Sequence, residues 1–148
     1  MTLPLLGKHG DLPPSVYRAT LQEVIERFGK GSVKRKVLAL RLERIYRLAE
    51  RTGCLARFVV FGSFITAKPE PNDVDVFMIM EDIFDAGQLM GESRILFNHG
   101  AAQNHFGCSV FWVRRLAALG GEQTAIEHWQ IKRDGGQRGI VEIVLEVP

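Results

Sequence analysis

Hydrophobic positions first become periodic at Thr20. Thr20-Leu21-Gln22-Glu23 has the form of a capping box ahead of Val24, Ile25 and Phe28, which predicts a short helix ending near Gly29. Ser32 can cap a second helix, in which Leu38, Leu42, Ile45 and Ala49 recur at spacings of three and four and form one apolar face, with Gly53 as its stop. The period then changes. Arg57 to Phe61 is a short β-branched and aromatic run closed by Gly62 and reads as a buried strand; Val74 to Met80 and Cys108 to Val113 read the same way. Residues 86–105 read as helical, with Gly87, Gly91 and Gly100 blurring the ends. In the tail, Trp129 to Arg133, the turn Asp134-Gly135-Gly136 and the run Ile140 to Val147 predict a hairpin. Its Ile140/Glu142 and Val141/Ile143 positions alternate, and Val141, Ile143 and Leu145 are expected in the core. The first fifteen residues, with Pro4, Pro13 and Pro14 among glycines, read as an irregular surface arm.

These elements predict one α+β domain over residues 1–148: an irregular arm (1–15), a helical portion (16–56) and a mixed sheet with helices and a closing hairpin (57–148). With 46% hydrophobic and 24% charged residues in 148, the chain has the balance of a globular domain and is long enough to build a core without staples. Its apolar runs are too short to cross a bilayer as a helix. Cys54 and Cys108 form no CxxC pair and follow no signal peptide, so they are expected as free thiols in a cytoplasmic setting.

The formal charge of +2 conceals a division. Residues 1–57 carry 12 Lys/Arg against 5 Asp/Glu, net +7, and residues 58–148 carry 7 against 12, net −5. On the second helix Arg41, Arg44, Arg47 and Arg51 fall within an arc of roughly 120°, a stripe that reads either as a contact for polyanion phosphates or as a solvated face.

The stretch richest in chemistry is Phe61-Gly62-Ser63-Phe64-Ile65-Thr66-Ala67-Lys68-Pro69-Glu70-Pro71-Asn72-Asp73-Val74-Asp75-Val76. Glycine at a strand end permits close backbone approach, and the amides that follow, with the Ser63 hydroxyl, can hold a phosphate oxygen. Asp73 and Asp75 are i and i+2 at a strand entry and therefore project to one face. Two adjacent carboxylates repel, and a divalent cation such as Mg²⁺ or Mn²⁺, completed by water and substrate phosphates, relieves that repulsion. Lys68, in the linker, is either a phosphate contact or simply exposed.

Strand-Gly-Ser, a linker of nine residues and then Asp-hydrophobic-Asp-hydrophobic resembles the signature of the DNA polymerase β-like nucleotidyltransferase superfamily. The whole layout, with Gly-Ser-Phe-Ile-Thr-Ala-Lys, Pro-Asn-Asp-Val-Asp-Val and a closing hairpin, is similar to a family of short bacterial predicted nucleotidyltransferases. The resemblance implies nucleotidyl transfer from an NTP, ATP being the expected one, to a protein, RNA or small-molecule acceptor. Gly62, Ser63 and Lys68 would hold the triphosphate, and Asp73 and Asp75 would act as catalytic metal ligands.

Active members of that superfamily carry a third carboxylate on a later strand. The strand Cys108 to Val113 contains no acid, and Ser109 stands about where one would be expected. Glu81, Asp82 and Asp134 are poor substitutes by position. The alternative is therefore a catalytically lapsed nucleotide-binding or partner-binding module of toxin–antitoxin type. His99 and His105 lack the spacing of a helical metal pair, His128 beside Trp129 reads as packing, and Arg114 and Arg115 at a strand end read either as contacts for an anionic substrate or as a solvated charge pair.

Overall fold

A computed structural model describes residues 3–145. Five strands form one mixed sheet: β1 (Val16–Ala19), β2 (Leu55–Phe61), β3 (Val74–Met80), β4 (Cys108–Arg114) and β5 (Ile140–Ile143), in the spatial order β1-β5-β2-β3-β4. The two outer pairs, β1 with β5 and β3 with β4, are parallel; β5 with β2 and β2 with β3 are antiparallel. The helices are α1 (Leu21–Phe28), α2 (Val33–Arg51), α3 (Gly91–Leu96), α4 (His99–Phe106) and α5 (Glu122–Glu127). The α+β class and mixed sheet expected from sequence are those observed.

Local signals account for the first two helices. Thr20 caps α1 in a reciprocal box with Glu23, and the Ser32 hydroxyl accepts from the Arg35 amide at the start of α2. Leu38, Leu42, Ile45 and Ala49 are all fully buried, as their spacing requires. Strand alternation then divides the sheet into two faces. Phe58, Val60, Val74, Val76, Met78, Met80, Cys108 and Val110 join α1 to α4 in the main core, while Val59, Phe77 and Ile79 meet Ile126 and Ile140 in a smaller cluster on the opposite face. Both cysteines are free, and burial pushes the Cys108 thiol up to about 12. No helix among the described residues is long and apolar enough to cross a membrane.

Three expectations need correction. The portion from residue 16 is not helical at its start, because Val16–Ala19 pairs with β5 as an edge strand and only then gives way to the capping box. Residues 86–105 do not form one helix: a 3-10 turn (Ala86–Gln88) capped by Asp85, then α3, then α4 capped by Asn98 succeed one another, the first break falling at Leu89-Met90 ahead of Gly91, whose φ is 62°. The hairpin is reduced to a turn at Lys132–Gly136 and one bridge between Ile131 and Gln137. Beyond it β5 leaves to insert between β1 and β2, where its apolar alternation is satisfied on both sides, and the strand ends at Ile143; Leu145 is exposed rather than core, and residues 146–148 of the expected run lie outside the described residues. The arm lies on the surface as expected, pinned by buried Leu3 and Leu12.

One buried cation organises the front of the molecule. Arg35 donates from Nη1 to the carbonyls of Phe28 (2.9 Å) and Phe64 (2.7 Å), and from Nη2 to those of Thr66 (2.7 Å) and Lys68. Desolvation by burial lowers its pKa, and the charge of Glu70 acts in the opposite direction. Replacing it with methionine keeps much of the volume but strips four carbonyls of their charged donor, so Arg35→Met is expected to cost at least about 3 kcal/mol. Urea unfolding checks this as a lower midpoint at unchanged slope.

Candidate functional site

The two halves of the sequence motif meet at one end of the sheet. Register places Phe61, Asp75 and Ser109 side by side across β2, β3 and β4. All three, with Asp73, belong to the less covered face: Asp73 and Asp75 are an even number of residues from Phe77, Ser109 from Phe111, the register partner of Phe77, and Phe61 from Val59. After Phe61 the chain turns through Gly62, at φ 83°, into the 3-10 turn Ser63–Ile65, which Thr66 closes by donating its hydroxyl to the Ser63 carbonyl at 2.7 Å. A Cβ on Gly62 would lie 2.0 Å from Asp75 Oδ2. Both the backbone angle and the close approach therefore require glycine here.

The carboxylates interact directly. Asp75 is pushed up to about 7, first by burial, then by the charge of Asp73, with Arg138 and the Ser109 hydroxyl opposing the rise. Ser109 Oγ lies 3.0 Å from Asp73 Oδ2 and 2.9 Å from Gln103 Oε1; with one proton it donates to one of them at a time. Among the described residues no third carboxylate, histidine or cysteine joins the pair. Glu81 is engaged by Arg115, Asp82 accepts from the Leu116 amide and Asp134 accepts from the Gly136 amide within its own turn. His99 faces the Val110 carbonyl at 3.1 Å and His105 faces Glu92 at 2.8 Å, so neither approaches the site as a ligand.

A cavity of about 310 Å³ opens beside the pair. Gly62, Asp75 and Ser109 contribute to one side of it, and Phe61, Phe111 and Trp129 to another. Trp129 is the hub of these rings, with centroids 4.5 Å from Phe61, 5.0 Å from Phe111 and 5.3 Å from Phe77 beneath. His128, Lys132, Arg133 and Arg138 also line the cavity. Asp11, from the arm, holds two of these cations, Lys132 at 3.2 Å and Arg138 at 3.4 Å. The arm thus supports the site, although its sequence carried no chemical signal.

Of the residues singled out by sequence, Gly62 and Asp75 line the cavity and Asp73 joins them through Ser109 and through its effect on Asp75. Ser63 starts the adjoining turn without lining the cavity. Lys68 is exposed and outside it; its backbone carbonyl, gripped by Arg35, is the part with a defined role. Sequence reasoning missed the ring wall and the basic loop. The Lys132-Arg133 pair ahead of a Gly-Gly turn was a usable signal, whereas the rings come from separate elements and only the strand register brings Phe61 and Phe111 to the face of Asp75.

The donors brought together here, two carboxylates and a hydroxyl, are all oxygen, the kind that a hard divalent cation takes. A second cation would find only a neutral serine where it needs an acid.

Over residues 4–144 the chain matches a family described as a family of unknown function (DUF6932). It belongs to that family. No curated protein and no solved structure matches it. For a DUF6932 chain, therefore, the chemistry of the site has to be read from the site itself.

Asp75 contributes a pH dependence to the stability of the metal-free fold. The native carboxyl keeps its proton to about 7 while the unfolded chain releases it in the ordinary aspartate range. The stability linked to that proton is complete in acid and is lost as pH rises to about 7. Asp75→Asn, neutral throughout, is expected to melt higher than the parent at pH 8 in chelator, by about 2–4 °C for each kcal/mol recovered. The two proteins are expected to melt together near pH 4. A difference that stays constant with pH would show that the carboxylates do not compete for a proton.

Proposed function

We propose that the cavity binds a nucleoside triphosphate, ATP being the expected one, with one Mg²⁺ or Mn²⁺ on Asp73 and Asp75, and that the protein transfers the nucleotidyl group to a hydroxyl of a protein, RNA or small-molecule acceptor. The observation that carries this reading is the convergence on one cavity of an acidic pair, a glycine with no room for a side chain, an aromatic wall and three cations. It agrees with the resemblance of Gly62-Ser63 and Asp73-Val74-Asp75 to the DNA polymerase β-like nucleotidyltransferases.

The residues divide the work by chemistry. The rings of Phe61, Phe111 and Trp129 offer a stacking surface for a base. Lys132, Arg133 and Arg138 offer N–H donors to phosphate oxygens, and Asp11 keeps two of them extended toward the cavity. A bound cation supplies neutralisation of phosphate charge. Asp73 and Asp75 would hold that cation, Asp75 as its carboxylate, and Ser109 can donate to Asp73. Free, reduced Cys54 and Cys108 support a cytoplasmic location.

A second reading, nucleotide binding without transfer, is favoured by one observation: Ser109 stands in register with Asp75, where the superfamily's third acid is expected. A neutral hydroxyl cannot deprotonate an acceptor near pH 7.

Incubation with each labelled NTP and Mg²⁺ or Mn²⁺ separates the two readings. Label transfer or pyrophosphate release is expected, abolished by Asp73→Ala/Asp75→Ala, and raised about tenfold or more by Ser109→Asp if the missing acid limits the rate. Transfer that survives the double substitution overturns the assignment. Calorimetric binding of ATP with Mg²⁺, weakened by Trp129→Ala but without turnover in any variant, selects the second reading.

A further inference from the structure

The outer face of α2 has no place in the cavity chemistry, and its pattern is specific. Val33, Val37, Leu40, Arg44, Arg47 and Arg51 follow one another at spacings of four and three, the heptad spacing of a helix that packs along another helix. They face away from the core stripe of Leu38, Leu42, Ile45 and Ala49. Val33 is 77% exposed and Leu40 68%, while Arg44 and Arg47 keep more than half their side chains in solvent. The stripe is apolar over its first half and cationic over its second.

A groove of about 850 Å³ runs along this face. From α2, Val37, Leu40 and Leu48 line it with four arginines, Arg41, Arg44, Arg47 and Arg51, and one acid, Glu43; Glu92 lines it from α3. Glu92 receives Arg44 through both carboxylate oxygens and His105 through one of them, so Arg44 is held extended along the wall rather than folded across it. Arg41, the remaining member of the basic stripe noted in the sequence, also lines the groove and reaches toward the end of α4: a Cβ on Gly107 would come within 2.7 Å of its Nη1.

We propose that this face docks a helix of a partner protein that carries apolar residues over one half and acidic residues over the other. Charge decides among the possible occupants. The groove is lined by Arg41, Arg44, Arg47 and Arg51 against Glu43 and Glu92, a net positive charge, so the complement is acidic. A second copy fits poorly in either direction. An antiparallel copy would set Val33 and Val37 against Arg47 and Arg51, and a parallel copy would set arginine on arginine. Nucleic acid would use the arginines but leave the exposed valines and Leu40 against phosphate and sugar. An acidic amphipathic helix satisfies both halves.

The test uses two synthetic helical peptides of three heptads, with Leu at the a and d positions of one half and Glu at those of the other, one arranged for parallel and one for antiparallel docking. Fluorescence anisotropy with the full chain is expected to show binding of one of them. Leu40→Asp or Val33→Asp should weaken that binding about tenfold or more. Arg47→Glu/Arg51→Glu should abolish it, while restoring binding to the same peptide with Lys in place of Glu, a swap that a merely sticky surface does not produce. All these positions are exposed, and thermal unfolding confirms that each variant is folded. Three outcomes overturn the proposal: neither peptide binds; binding ignores the substitutions; or the face instead binds single- or double-stranded RNA oligonucleotides, or self-associates in sedimentation, in a way these substitutions abolish.

Discussion

The geometry of the site depends on a charge that never touches it. Arg35 projects from α2 into the loop joining the two halves of the motif and ties the end of α1, the turn after Gly62 and the linker at Thr66 and Lys68 to one guanidinium. Without that clamp the nine residues between Gly-Ser and Asp73 would be a long flexible connection, and the position of Gly62 against Asp75 would rest on β2–β3 pairing alone. Four carbonyl dipoles replace the water that the cation lost on burial. The planar fork of arginine makes this possible; a lysine could not span the same set.

The two faces of the sheet show how stability and chemistry are kept apart. The face under α1 to α4 buries the even-numbered side chains of β3 in a continuous core. The other face has Ile126 and Trp129 over Val59, Phe77 and Ile79 at one end, and carboxylates, a serine and cations at the other. β5 contributes to both faces, with Val141 and Ile143 on one and Ile140 and Glu142 on the other. Glu142 is buried there and is made tolerable by Arg57, which donates to it at 2.9 and 2.7 Å.

Much of this was legible in the chain because it was local. Capping at Thr20 and Ser32, the apolar face of α2, the limits of β3 and the adjacency of Asp73 and Asp75 all follow from residues close in sequence. What escaped was set by distant partners. Val16–Ala19 becomes a strand because β5 offers it an edge, and β5 abandons a hairpin because the gap between β1 and β2 buries its side chains better. Nothing local distinguishes Arg35 from the other basic residues of α2; only the fold brings four carbonyls to it. Asp11 was hidden for the same reason, being more than a hundred residues from the cations it holds.

The unequal covering of the sheet has a kinetic consequence. The segment from Arg115 to Gly139 is built of a six-residue helix and single turns, anchored by Ile126, by Trp129 and by the ion pairs of Asp11. Few apolar contacts have to be broken for it to lift, whereas the opposite layer can separate only with the core. Local opening on this side is thus much less costly than global unfolding, and amide hydrogens in the segment exchange by a route separate from those of β3. Any ligand that bridges Trp129 and Asp75 joins this segment to the strand beneath it and so makes its local opening more costly.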